Sequence, residues 1–211
     1  MATAERELTA PAQSAEGAPD AGEDWTPQPY RWTREQFYKL GEAGLFEGRR
    51  VILMEGEILV MPAMKPPHQT AVSLAAEAAR AAFGAGFFVR EQGPFDVRAA
   101  TDPEPDIAVV AGGIRDFADD HPTVAALIVE VSDATLAYDR REKASMYAKA
   151  GVADYWVVNL RARQVEMHRQ PVLDEAQPYG FGYSEVTVFG EDAVIQPLAA
   201  PGPVAVSVLL P

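Results

Sequence analysis

Residues 125–131 form an almost unbroken apolar run that contains one acidic residue, Glu130. A strand of this composition is typical of the centre of a sheet, where other layers cover both faces. The chain has 211 residues, of which 48% are hydrophobic, so it is long enough to build one such core. The run therefore predicts a single α/β or α+β domain with a mixed central β-sheet flanked by helices.

Three segments have the end signals or the spacing of helices. Thr33 with Gln36 three positions later matches a capping box and predicts a short helix. The Ala-rich residues 68–83 have apolar residues at helical spacing and predict a long helix packed on the sheet. Asp139 is a good N-cap residue, so a third helix is expected to begin there and to end before Gly151.

The remaining apolar segments predict strands. Residues 51–61 are expected to form a hairpin with a tight turn at Glu55 and Gly56, since glycine readily adopts the positive φ of such turns. Further strands are predicted at residues 87–92, 95–98, 107–110, 155–160, 165–168, 183–189 and 204–210. The last two would be edge strands that complete the sheet.

Residues 1–29 are rich in Ala, Glu, Gly, Pro and Ser and have few bulky apolar residues. Such a segment buries too little surface to offset chain entropy and predicts a disordered acidic tail before a single domain at residues 30–211. No apolar run approaches the roughly 18 residues of a transmembrane helix, and the first residues lack the pattern of a signal peptide. We therefore expect a cytoplasmic protein.

The charge balance argues against a simple nucleic-acid-binding surface. The net charge is −13, of which residues 1–24 contribute −5. A local positive strip is still expected, because steering depends on the local potential rather than on the sum of charges. Its members would be Arg140, Arg141, Lys143, Lys149, Arg161, Arg163 and Arg169. The chain has no cysteine and three histidines, so a bound metal ion is expected to have oxygen ligands.

Two acidic residues stand beside predicted buried strands. The residues on either side of Glu130 are apolar. A carboxylate in such surroundings needs a compensating cation or hydrogen-bond donors. A structural ion pair would meet this need as well as a metal site would. Asp106 ends the acidic segment 102–106, and taken alone it is most simply a solvated turn residue. Neighbouring strands would bring the two carboxylates within reach of one divalent cation.

Lys143 and His68 are the other candidates. A single lysine is most often a surface residue, but Lys143 lies in the helix after Glu130 and would, if it pointed back to the sheet, stabilise charge on phosphoryl oxygens. His68 lies at the start of the long helix. For a lone histidine an exposed position is roughly twice as common as a ligand role.

These elements together resemble the Uma-type family of restriction endonucleases, within the PD-(D/E)xK nuclease superfamily. The matching elements are residues 55–58 with Met61, His68, residues 105–106, residues 129–132, residues 138–140 with Lys143, Tyr147, residues 150–152 and residues 155–156. The resemblance covers residues 32–169 and implies a restriction-endonuclease-like core.

The resemblance also implies a site. Asp106 and Glu130 would be catalytic acids that bind Mg²⁺ or Mn²⁺, and the carbonyl of Val131 would be a further metal ligand. Lys143 would be the catalytic lysine, supplied from the helix. The superfamily usually places this lysine two positions after the second acid, where this chain has Ser132.

One departure lies in the first hairpin. Many members of the family have an acid at the position of Ile52, and its absence removes one potential metal ligand. Glu57 then becomes the candidate accessory acid, and His68 is a second accessory candidate.

The sequence therefore predicts a Mg²⁺- or Mn²⁺-dependent endonuclease that hydrolyses DNA phosphodiester bonds. One alternative is a catalytically inactive nucleic-acid-binding or protein-interaction module with the same fold, which the acidic charge and Ile52 favour. The other is a metal-dependent hydrolase of a small phosphorylated substrate. A homodimer is expected only by symmetry, since enzymes that cut both strands often act as two-fold pairs.

Overall fold

The computed structural model describes Thr26 and residues 28–97 and 101–211. The chain divides into two units, residues 1–30 and residues 31–211, and all helices and strands of the described residues belong to the second. The tail predicted at residues 1–29 lies almost wholly outside the described residues and stays a prediction. In the described part of the chain, no helix is both long enough and apolar enough to cross a membrane.

Helix α1 (Arg34–Glu42) begins at the predicted capping box. The N–H of Gln36 donates to the Thr33 hydroxyl, and the Gln36 side-chain oxygen accepts from the N–H of Thr33 at 3.0 Å. No residue of α1 is buried, so the helix lies on the surface of the domain.

Strands β1 (Arg50–Met54) and β2 (Glu57–Met61) form the predicted hairpin. The two turn residues, Glu55 and Gly56, both have positive φ, at 48° and 77°, as a type I′ turn requires. A Cβ at Gly56 would come within 2.9 Å of the Arg31 Cβ, so the turn has no room for a side chain there.

A six-stranded mixed sheet forms the centre of the domain, as predicted. Its order is β3-β4-β5-β6-β7-β8, in which only the β5–β6 pair is parallel. All residues of β5 and β6 are buried, which agrees with the covered strand expected from its apolar run. The strands are β3 (Phe87–Glu91), β4 (Ile107–Ala111), β5 (Leu127–Ser132), β6 (Asp154–Asn159), β7 (Gln164–Leu173) and β8 (Phe181–Gly190).

The parallel pair β5–β6 requires a crossover, which is helical. It comprises α3 (Leu136–Tyr138), a π-helical turn (Asp139–Lys143) and α4 (Ala144–Lys149). The prediction that Asp139 caps this helix is wrong, because the helix begins three residues earlier and Asp139 is buried inside it. Its carboxylate instead accepts hydrogen bonds from the hydroxyls of Ser132 and Thr135. Gly151 ends the crossover with φ 79°, as expected.

The two faces of the sheet carry separate apolar cores. Helix α2 (Pro66–Phe83) packs its alanines and Val72 on one face. Helix α4 and the β1–β2 hairpin pack on the other face, around Tyr147 and Tyr155. This layering confirms the predicted fold class.

Two predicted strands are wrong. Residues 95–97 have no regular structure, because Phe95 is fully buried and its N–H donates to the Pro103 carbonyl instead of to a neighbouring strand; Arg98 lies outside the described residues. At the carboxyl end, among the described residues, β10 (Val204–Ala205) pairs with β9 (Val194–Ile195) and not with the main sheet. A 3-10 helix (Val206–Leu209) follows and packs against α2 with the core, so these residues do not extend the main sheet.

His168 on β7 generates a prediction about acid stability. It is 6% exposed between the rings of Tyr155 and Tyr183, and its Nε2 has no hydrogen-bond partner. Burial lowers the pKa of His168 to about 4. Between that value and the ordinary pKa of about 6.5 the unfolded chain binds more protons, so stability is lost as the pH falls through this window.

His168→Phe keeps a ring but cannot titrate. We expect the free energy of unfolding to fall by about 2 kcal/mol more in the wild type than in this variant when the pH is lowered from 7 to 5. Urea unfolding at each pH measures this difference. The control is His121→Phe, at an exposed position. Equal losses in wild type and His168→Phe would contradict the assignment.

Candidate active site

Asp106 and Glu130 lie side by side on the face of the sheet that carries α4. Strands β4 and β5 pair Ile107 with Val129, and one further step of the same antiparallel register places Asp106 opposite Glu130. Both residues are almost completely buried, with exposures of 4% and 2%. The two acids predicted from separate segments are therefore neighbours.

Three groups donate toward the Asp106 carboxylate. Its Oδ2 accepts from the Val131 N–H at 2.8 Å and lies 3.3 Å from His68 Nε2, and its Oδ1 lies 3.3 Å from Gln92 Nε2. Burial raises the pKa of Asp106, but the His68 hydrogen bond, the Lys143 charge and the Val131 N–H outweigh it. The pKa therefore lies below its usual value and the group is ionised at neutral pH.

Glu130 is held by two side chains of the crossover helix. Lys143 Nζ lies 2.8 Å from Oε2, and the hydroxyl of Tyr147 donates to Oε1 at 2.9 Å. Burial, together with the charges of Asp106 and Asp139, raises the pKa of Glu130 above its ordinary value, and Lys143 opposes this rise. Of the two acids, Glu130 is therefore the one that takes up a proton more readily.

Lys143 is a buried cation and not a surface lysine. Its Nζ also lies 3.3 Å from Asp139 Oδ1, so the ammonium sits between two carboxylates. Burial lowers the pKa of Lys143, but the charges of Glu130, Asp139 and Asp106 raise it further than burial lowers it. The lysine keeps its charge inside the protein.

The π-helical turn places Lys143 in this position. A π turn widens the helix by one residue and shifts the side chains that follow it, and such turns are frequent at functional sites. The hydroxyl of Tyr155 on β6 donates to the backbone carbonyl of Asp139 at 2.9 Å and fixes the start of the turn.

These side chains line one cavity of about 80 Å³, enough for several water molecules. Asp106, Glu130, Lys143, His68 and Val131 all contribute to its lining. The candidate metal ligands and the candidate lysine thus face the same space.

The donor set fits a hard divalent cation that keeps most of its water. Among the described residues, no cluster of three or more His, Cys, Asp or Glu side chains is arranged to hold a metal ion. Mg²⁺ needs no such cluster, since one or two carboxylates with water and a backbone oxygen suffice. Asp106 and Glu130 supply two carboxylates at a cavity large enough for water, with Val131 beside them.

Residues 34–206 match the Uma2 family, described as "Putative restriction endonuclease". The chain belongs to this family. The match confirms the Uma-type resemblance inferred from the sequence. No curated protein matches the chain.

The fold is also similar to a crystal structure from Anabaena variabilis described as "a putative nuclease belonging to DUF820". The TM-score is 0.63 over 84% of this chain and 96% of the other, at 16% sequence identity. At this identity the likeness establishes the fold alone.

The accessory candidates of this Uma2 chain lie in different places. His68 is a neighbour of Asp106, whose hydrogen bond raises the pKa of the imidazole. Glu57 does not line the cavity; its side chain is 52% exposed and lies 2.7 Å from Arg31. Ile52 does line the cavity.

Several site neighbours were not predicted. Asp139 and Tyr147 lie four residues before and after Lys143, and this helical spacing was a signal that could have identified them. Glu104 lies two residues before Asp106, whereas Arg50 at the start of β1 and Gln92 after β3 approach the site from parts of the chain farther away in sequence. Gln92 also has φ 49°, an unusual conformation for a non-glycine residue.

The predicted positive strip does not form. Six of its seven members pair with carboxylates: Arg140 with Glu166, Arg141 with Glu142, Lys143 with Glu130, Arg161 with Asp133, Arg163 with Glu191, and Arg169 with Asp154. The seventh, Lys149, lies over the ring of Tyr179. Local ion pairs therefore neutralise most of the charge that was expected to attract DNA.

The buried cation yields a stability prediction. Lys143→Met leaves Glu130 and Asp139 without their shared counter-charge, and breaking such a pair costs about 3 to 5 kcal/mol. In the double variant Lys143→Met with Glu130→Gln, we expect part of this loss to be recovered, because one uncompensated charge is gone.

Urea unfolding of the wild type, Lys143→Met, Glu130→Gln and the double variant gives a double-mutant cycle for the free energy of unfolding. Lys149→Met, at an exposed position six residues along the same crossover, is the matched control and should change stability by no more than about 0.5 kcal/mol. Additive losses in the cycle would show that Lys143 and Glu130 do not interact.

Proposed function

We propose that this Uma2 protein is an endonuclease that hydrolyses DNA phosphodiester bonds with Mg²⁺ or Mn²⁺. The observation that carries the proposal is the convergence of Asp106, Glu130 and Lys143 on one cavity, from the residue before β4, from β5 and from the crossover helix. Two acids and a lysine beside a cavity large enough for water are the groups that metal-assisted phosphoryl transfer requires. Family membership supports the same class of reaction.

Each residue has a distinct role in this proposal. Asp106 and Glu130 would hold the cation, with the carbonyl of Val131 as a further ligand. When bound, the cation supplies positive charge that stabilises the phosphoryl group during attack. Lys143 orients the attacking water and donates a hydrogen bond to a phosphoryl oxygen as its negative charge develops.

The hydrogen bonds of the site support these roles. Donors around Asp106 keep its carboxylate ionised and therefore ready to bind a cation. Lys143 is held by Glu130 and Asp139, so little side-chain entropy remains to be lost when it engages a phosphate. His68, beside Asp106 at the cavity wall, is placed to orient that carboxylate.

A second candidate function is hydrolysis of a small phosphorylated molecule. The net charge of −13 and the pairing of the basic residues 140–169 give DNA little positive surface to approach. A small substrate would need only the cavity itself.

The third candidate is a binding module without turnover. Ile52 lines the cavity at the position where the family resemblance implies an acid, so this chain has one potential ligand fewer. Binding without cutting would still use the remaining polar groups.

Cleavage of supercoiled, linear and single-stranded DNA with Mg²⁺ or Mn²⁺ tests the three functions. We expect metal-dependent cutting that falls at least about 100-fold in Asp106→Asn and in Lys143→Met. Asp106→Asn weakens binding of the cation, and Lys143→Met removes a positive charge beside the phosphoryl group. Lys149→Met should cut at the wild-type rate. Circular dichroism of each variant verifies that it is folded.

Two results would reject the endonuclease. Salt-sensitive DNA binding without cutting, unchanged by Lys143→Ala, would identify the binding module. Hydrolysis of bis(p-nitrophenyl) phosphate, lost in Asp106→Asn, with no action on any DNA would identify the small-substrate hydrolase.

A homodimer is part of the proposal, and the edge strand β8 supports it. This strand has ten residues, with Val186 and Val188 more than half exposed, and an open edge of this length is a template for pairing with a second copy. We expect light scattering to give twice the monomer mass and Val186→Lys to shift the protein toward monomer. A monomeric wild type at micromolar concentration would contradict it.

A further inference from the structure

The cavity has charged side chains at two depths. Asp106, Glu130 and Lys143 are each at most 8% exposed and form its floor. Four further charged residues line the cavity and are partly exposed, and together they form the cavity rim: Arg50, Lys65, Glu104 and Asp133. The cavity rim therefore lies between the buried floor and the solvent.

A DNA strand that places one phosphodiester at the floor brings its neighbouring phosphates to the cavity rim, because the phosphates form one continuous chain. Each phosphate carries a negative charge, and binding depends on the cations that neutralise it. Glu104 and Asp133 would repel the strand unless cations beside them offset their charge. Arg50 and Lys65 are the cations of the cavity rim.

Arg50 is only weakly engaged within the protein. It is the first residue of β1, and the alternation of side chains along a strand places it on the same face as Ile52 and Met54, which also line the cavity. Its Nη2 lies 3.8 Å from Glu104 Oε2, which is beyond hydrogen-bonding distance. The guanidinium can therefore turn to a phosphate, whose oxygens it matches in a two-pronged geometry.

Lys65 also has a weak partner. Its Nζ lies 3.3 Å from Asp133 Oδ2, but its side chain is 67% exposed, and exposed pairs of this kind contribute little to stability. The other oxygen of Asp133, Oδ1, accepts a hydrogen bond from Arg161 Nε at 3.0 Å. Asp133 therefore keeps a counter-charge when Lys65 turns to a phosphate.

The position of Lys65 does not serve the stability of its helix. Lys65 is the N-cap residue of α2, its side chain makes no capping hydrogen bond, and the first turn of α2 contains no acid. The positive end of a helix dipole favours an anion and disfavours a cation. Pro66 and Pro67 have no backbone N–H, so the ammonium of Lys65 is better placed than the backbone to bind an anion there.

We propose that Arg50 and Lys65 bind the DNA phosphates that flank the phosphodiester held at Asp106 and Glu130. This inference rests on the proposed function, since it names the residues that hold DNA at the same site. Contacts to the backbone carry no sequence information. Because phosphates lie on the outside of a duplex, duplex DNA can use both contacts.

The salt dependence of DNA binding tests the proposal. A fluorescein-labelled duplex of about 20 base pairs is titrated with the protein at several KCl concentrations, with Ca²⁺ in place of Mg²⁺, and fluorescence anisotropy gives the binding constant. We expect Arg50→Gln and Lys65→Gln each to weaken binding about 10-fold at low salt and to reduce the slope of log K against log [KCl] by about 1. The double variant should reduce the slope by about 2.

Three variants are controls. Arg50→Lys keeps the positive charge and should keep the wild-type slope. Lys39→Gln removes a lysine of α1 that is similarly exposed, at 61%, and is also paired with one carboxylate, but does not line the cavity. Arg115→Gln removes an exposed arginine outside the cavity. Neither of these two should change the slope, and circular dichroism verifies that each variant is folded.

The outcomes separate the inference from the proposed chemistry. Wild-type slopes in Arg50→Gln and Lys65→Gln, or equal reductions in Lys39→Gln and Arg115→Gln, would overturn the inference, whereas metal-dependent cutting would still support the endonuclease. The expected slopes without any cutting would support the phosphate contacts and reject the nuclease. Absence of DNA binding by the wild type would overturn the inference.

Discussion

The ion pair between Lys143 and Glu130 is the contact on which the rest of the site depends. Glu130 comes from the centre of the sheet and Lys143 from the crossover that connects its two parallel strands, so the pair joins two layers of the domain. Either charge alone would be costly at this depth. Asp139 and Tyr147, one helical turn away on each side, complete the coordination of the two groups. The site is therefore built into the core and is not added on loops.

Features determined by nearby residues were predicted from the sequence. The Thr33 capping box, the Glu55–Gly56 turn and the covered strand at Glu130 all follow from short-range rules, and each is present. The candidate site residues were singled out from their surroundings in the sequence and received their roles from the family resemblance. The structure brings Asp106, Glu130 and Lys143 to one cavity.

Features that depend on distant pairing were not predicted. Gln92 contacts Asp106 because β3 and β4 are neighbouring strands. The positive φ of Gln92 is not predicted by any local sequence pattern. The basic residues from Arg140 onward were predicted to form a strip because most of their partners lie far along the chain. Arg140, for example, pairs with Glu166 on β7. Asp139 was predicted to be a helix cap from its position in the sequence. Its carboxylate instead accepts hydrogen bonds from the hydroxyls of Ser132 and Thr135 and pairs with the ammonium of Lys143.

The π-helical turn at Asp139–Lys143 has a consequence for how this chain can change during evolution. Because successive helical residues are rotated by about 100°, deleting one residue from the turn would point position 143 away from Glu130 while the sheet stayed intact. The orientation of Lys143 therefore depends on the number of residues in the crossover helix and not on the strands. A change of one residue in the length of the crossover is then enough to separate the ammonium from Glu130 without altering the order of the strands.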